Sequence, residues 1–173
     1  EVGYQVWSTA TTNLSKASVA NFYGTNGIFY LGGGTYSAPV TTTFAGTTWT
    51  YASGATYNHH SGIVTFTGND QTIIGSMTFY KFTKDLTSGS YTLTLPANTT
   101  TTFQSDLYLE GSATGPSNRL LIRSSTNGTQ ARIDPQGSRY VVQVDVKDNN
   151  NVNATAISAV DSTDSGNNTN WTF

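Results

Sequence analysis

The sequence predicts an all-β domain, and three observations carry that expectation. Apolar residues recur with period two in short runs. Clusters of Gly, Asn, Asp and Ser separate those runs at intervals of roughly 8 to 15 residues. No segment carries an apolar stripe of helical period; residues 15–22 are the one stretch that could form a short helical turn.

Along the chain, residues 63–67 place Val64 and Phe66 opposite Ile63, Thr65 and Thr67. Tyr91–Leu95 alternates Tyr91, Leu93 and Leu95 with two threonines. Residues 106–110 and 119–123 offer the inward pairs Leu107/Leu109 and Leu120/Ile122. Residues 139–147 read as one strand with Tyr140, Val142, Val144 and Val146 on one face. Alternation of this kind belongs to half-buried strands. Reversals fall at Gly32-Gly33-Gly34, Gly68-Asn69-Asp70, Asn127-Gly128, Asp134-Pro135-Gln136-Gly137 and Asn149-Asn150-Asn151. These residue types supply positive φ or side-chain bonds to their own backbone.

Composition narrows the function classes. Eight Lys and Arg face ten Asp and Glu, so 10% of the chain is charged, against about 25% in an ordinary domain. Without a basic cluster, nucleic acid is not an expected partner. Two Glu and one Met do not make a helical bundle. The 10 Tyr, 8 Phe and 3 Trp can build a core, which argues against disorder. Zero Cys excludes disulfides, thiolate metal sites and a thiol nucleophile. No run approaches the ~18 apolar residues of a membrane span. The chain starts at Glu1 with neither Met nor leader. The expectation is an exported protein, extracellular or on the cell surface, whose leader has been removed.

The pattern admits two architectures. An antiparallel β-sandwich fits the spacing. So does a parallel β-helix, whose rungs of roughly 20 residues would give about eight coils and a stack roughly 35–40 Å long. Neither needs an internal boundary, so residues 1–173 are expected to form a single elongated β domain. Residues 1–20 are its candidate intersubunit or capping segment.

Residues 62–173 add a resemblance. The stretches GIVTFTGNDQTIIGSMTFYKFTK, YTLTLPANTTTTFQSDLYLEG, NRLLIRSS and VVQVDVKDNNNVNATAISAVDSTDSGNNTNWTF are similar to a repeat module of large exported surface proteins of bacteria and archaea. The resemblance implies a right-handed parallel β-helix (first choice over the sandwich) with adhesive, sheath or filament roles and no enzymatic activity.

The chemistry-bearing residues are few. His59-His60 is the only histidine pair, and neighbours on a strand point to opposite faces, which suits a solvent-facing turn better than a shared ion. Asp145 and Asp148 sit three apart, as do Asp161 and Asp164 in DSTDSG. Alternating oxygen donors make these four aspartates candidates for a structural calcium ion, although the Glu that closes an EF-hand is replaced by Thr172. Asx turns capping strand ends are the competing reading. No other cofactor is expected. Neither a nucleophile elbow nor a phosphate loop is present, and no enzyme is expected. Sequons stand at Asn13, Asn98, Asn127, Asn153, Asn167 and Asn170, which makes a glycoprotein expected if the source glycosylates its surface.

The first third is crowded with aromatics, from Trp7 through Phe29, Tyr36 and Trp49 to Tyr57. Buried, they are core; exposed, they are a sugar-stacking or protein-binding patch. An uncharged chain with unpaired terminal rungs suits self-association by strand addition. Val2, Tyr4, Val6, Trp7, Trp171 and Phe173 are the candidate interaction residues. The leading expectation is therefore a non-enzymatic structural protein of the cell surface that self-assembles into a filament or coat. The alternative is a monomeric adhesin or glycan-binding module, with surface glycans or other surface proteins as partners.

Overall fold

A computed structural model describes residues 5–8, 12–13, 17–112 and 117–173, with side chains for 17–112 and 117–173. The chain winds as a right-handed parallel β-solenoid of about seven turns, without a helix among the described residues. Named ladders pair in parallel, and among the described residues the one antiparallel contact is the isolated Ala97–Ala131 bridge. The sandwich alternative is thereby overturned. Period two alone cannot separate the two, because alternation records which face is buried and not which strand is the neighbour.

Each turn of the solenoid lays down three strands, which stack into three faces. Face A carries Gln5–Ser8, Ile28–Leu31, Thr48–Tyr51, Gln71–Ile74, Tyr91–Leu95, Leu120–Ser124, Val144–Lys147 and Thr163–Asp164 in unbroken order. Face B begins with Thr12–Asn13, Thr35–Ser37 and Thr56–Asn58. Face C begins with Val19–Phe22, Thr41–Phe44 and Ile63–Phe66. Met77–Asp85 and Thr100–Glu110 are long enough to run from face B round the corner into face C, with a register shift between Phe79 and Lys81 at the bend. The rung length varies: Val146 pairs with Asp164, 18 residues on, whereas Leu93 pairs with Ile122, 29 on. Insertions are absorbed in the corner turns and leave the ladders in register.

Two expectations on local structure change. Val19–Phe22 is a strand paired with Thr41–Phe44, not part of a helical turn; Phe22 falls in register with Phe44. Residues 139–147 are not one strand. Gln143 takes φ 52° and turns the chain from Ser138–Val142 on face C into Val144–Lys147 on face A. The corner reverses the parity, so Val141 is buried with Val144 and Val146 while Tyr140 points to solvent.

The core lies inside the triangle and consists of columns of like side chains. Phe29 and Trp49 stack at 3.9 Å, and Phe66, Phe79, Phe82 and Phe103 continue the aromatic contacts. Trp49 also meets Phe44 edge-on at 5.3 Å. Most first-third aromatics are thus core: Phe29, Tyr36, Phe44 and Trp49 are buried, while Tyr23 is exposed. Later rungs are aliphatic, with Leu93, Ile122 and Val146 in one register column. On face C the column Phe22, Phe44, Phe66 continues with Lys84 and Leu109. A lysine stands where the pattern calls for another phenylalanine.

Candidate functional site

The outer surface of face C holds the site. Three columns of outward side chains run along the solenoid axis, set by the parallel registers. The first is Ile63, Lys81, Asp106 and Ser138; the second is Thr65, Thr83, Tyr108 and Tyr140; the third is Asp85, Glu110 and Val142. Parallel registry puts side chains on neighbouring rungs about 4.8 Å apart, so like groups on one column touch.

In the middle column the Tyr108 and Tyr140 rings stack at 4.5 Å and 14°. Tyr140 is 46% exposed. The Val142–Val160 bridge places Ser158, two residues upstream of Val160, on the rung beyond Tyr140, and Ser158 pairs in turn with Thr172. Small residues therefore follow Tyr140 on its column, leaving its second ring face uncovered by any large side chain of that column. A groove of about 370 Å³ runs past the rings, lined also by Ile63, Lys81, Thr83 and Ser138.

Charge flanks the rings. Lys81 and Asp106 pair at 2.6 Å; their hydrogen bond pushes the lysine pKa up and pulls the carboxyl down. The Tyr108 hydroxyl donates to the Glu110 carboxylate, and that bond holds the phenol protonated well above its usual range. Asp85 is in register with Glu110; burial raises its carboxyl and the neighbouring Glu110 adds to the shift. The groove thus offers an aromatic platform, hydroxyls, the Lys81–Asp106 pair and Arg139, with Asp85 and Glu110 on the column beyond the rings. Stacking on a ring face combined with hydrogen bonds from its rim is how a polyhydroxylated ring is held.

The aspartates chosen from the sequence are dispersed. Asp145 pairs with Arg123 at 2.9 Å. Asp148 is buried at a positive-φ corner, accepting from Asn167 Nδ2 at 2.6 Å and from the Gly128 N–H at 2.9 Å. Asp164 accepts from the Gly166 N–H and from Asn168 Nδ2, an Asx turn at a strand end. Asp161 takes φ 49° at a corner, and its carbonyl accepts from Arg119. No group of three or more His, Cys, Asp or Glu is gathered among the described residues.

The remaining candidates divide as follows. His59 stacks on Tyr80 at 5.6 Å and accepts from the Ser61 N–H, while His60 takes a positive φ in the same turn. Trp171 packs on the core, with Phe173 stacked 6.1 Å away and 45% exposed. Val2 and Tyr4 lie outside the described residues. Val6 and Trp7 lie on the Gln5–Ser8 strand and Asn13 on Thr12–Asn13, with only their backbone described. Among the sequons, Asn98 and Asn127 are exposed. The amide nitrogens of Asn153, Asn167 and Asn170 are spent on Asp134, Asp148 and the Asn151 and Asn153 carbonyls.

Sequence reasoning missed Tyr108, Tyr140, Lys81, Asp106, Asp85 and Glu110. They come from successive rungs, with Lys81 and Asp106 25 residues apart and Tyr108 and Tyr140 32, and only the corner lengths bring them together. Comparison of the chain with protein-family models, with curated proteins and with solved structures found no match.

Proposed function

We propose that the chain is a non-enzymatic, extracellular recognition module whose solenoid displays a saccharide-binding groove on face C. The observation that carries this reading is the Tyr108–Tyr140 stack, with a Tyr140 ring face left open over Ser158. An aromatic face attracts the partly positive C–H face of a pyranose ring. Ser138 and the Lys81–Asp106 pair line the groove along one side of the tyrosine column, and Thr83 precedes Tyr108 on that column.

The test is a glycan array followed by titration of the best saccharide into Tyr140→Ala. Saturable binding to the native protein that weakens about tenfold in the variant, roughly 1.4 kcal/mol, is expected. Equal affinity in both would reject the site.

A second reading, self-association end to end, is favoured by the exposed Phe173 ring stacked on Trp171. It predicts concentration-dependent growth in sedimentation that Phe173→Ser abolishes.

A further inference from the structure

Two polar side chains meet inside the solenoid where face C turns into face A. Lys84 is 0% exposed and Gln71 1%. The Lys84 ammonium donates to Gln71 Oε1 at 2.7 Å and to the carbonyls of Gly68 at 2.8 Å and Asn69 at 3.1 Å. Gln71 Nε2 is tied down in turn, donating to the carbonyls of Phe44 at 3.0 Å and Gly46 at 2.8 Å. The carboxamide therefore cannot swing away from the amine. Phe66 precedes Lys84 on its column and Leu109 follows it. Asp70 acts on the amine through its field, while its Oδ1 is occupied by the Thr92 N–H at 2.7 Å.

We propose that Lys84 and Gln71 join in an intramolecular ε-(γ-glutamyl)lysine isopeptide bond that closes one turn of the solenoid, tying the end of its face C strand to the start of its face A strand. In the free-base form, Lys84 Nζ adds its lone pair to Gln71 Cδ, one bond from the oxygen it already contacts. The Nζ–Cδ bond forms and the Cδ–Nε2 bond breaks. Nε2 departs as ammonia carrying the proton that Nζ gives up. One amide replaces another, so the step needs no oxidant, reductant or activated co-reactant.

Two features favour it. Burial pulls the Lys84 amine down to about 8, so the nucleophilic form is far commoner near neutrality than in a solvated lysine. Holding amine and carboxamide in contact replaces an encounter with an effective concentration far above any in solution. The ammonia has a short way out, because Gly68 and Asn69 also line an open surface cleft of about 560 Å³ with Thr25, Thr47 and Asp70.

Mass spectrometry of the full chain, held folded at a pH above 8, decides the matter. The expected result is a mass lower by one ammonia and a branched fragment joining the Lys84 and Gln71 peptides, with tryptic cleavage after Lys84 lost. Lys84→Met and Gln71→Leu should each show their calculated masses, and the denatured chain should not react. The Asn26-Gly27 and Asn127-Gly128 steps also lose ammonia on forming succinimides. Those hydrolyse in mild base, whereas the isopeptide persists, and fragment sequencing locates either. A folded protein whose Lys84 stays a free amine, cut by trypsin after prolonged incubation, would overturn the proposal.

Discussion

Tyr140 lies 4.5 Å from Tyr108 in a near-parallel stack on the outside of the solenoid, although the two are separated by a whole rung of chain. In the proposed saccharide site their roles differ. Tyr140 presents the free face, and Tyr108 holds it in place while its hydroxyl is committed to Glu110. Tyr108→Phe keeps the stack and releases Glu110. Titration of a bound saccharide should show a loss of less than about tenfold for Tyr108→Phe and at least that for Tyr140→Ala. The reverse order would place the ligand elsewhere.

Acid stability should depend on Asp148. Its carboxylate is held below the usual range by the Asn167 amide and, next, by the Gly128 N–H. A carboxyl depressed in the folded state stabilises above its unfolded pKa, and that contribution disappears as pH falls through the folded value. Urea midpoints measured from about pH 5 to pH 2 should decline for the native chain. They should decline less for Asp148→Asn, which starts lower.

Gly137 marks the entry to the groove-bearing strand. A methyl group added there would sit 1.8 Å from the Ser105 carbonyl oxygen on the adjacent rung, and backbone cannot step aside as a side chain can. Gly137→Ala should cost at least about 2 kcal/mol, read from chemical denaturation. It should also displace Ser138 and Tyr140 enough to weaken the groove. An unchanged midpoint would mean that the rungs are not packed as closely as described.

Among the described residues Trp49 is the largest fully buried side chain, stacked on Phe29 and touching Phe44, Phe66 and Phe79. Trp49→Ala should destabilise by about 3–5 kcal/mol. Trp49→Phe keeps a ring on the column and should recover much of that loss. Thermal unfolding followed by near-UV dichroism separates the two.

The fold was legible where residues repeat. The alternation at residues 63–67, 106–110 and Tyr91–Leu95 sorted inward from outward side chains, because a strand has only two faces. Parity failed at residues 139–147, where the left-handed Gln143 inserts a corner that no apolar pattern marks. Lys84 was invisible for a related reason. In the sequence it is a charged residue between Thr83 and Asp85, and its charge argues for the surface although it shares parity with Phe82 and Leu86; the stacking on Phe66 reveals that it points inward. The groove was the least legible feature. Its columns are built across rungs, so each depends on the lengths of several turns, and turn length varies with little effect on the ladders. The calcium candidates read as oxygen-rich turns; the Asp148 and Asp164 carboxylates engage Asn167 and Asn168, and that of Asp145 pairs with Arg123 from within a strand.

The central claim is that Tyr140 forms the floor of a saccharide site. Calorimetric titration of an array-selected oligosaccharide into the native protein and into Tyr140→Ala, with folding of both confirmed by dichroism, tests it most directly. Saturable binding that weakens about tenfold or more in the variant is expected. Binding of equal strength in both proteins, or none to any saccharide on the array, would contradict it.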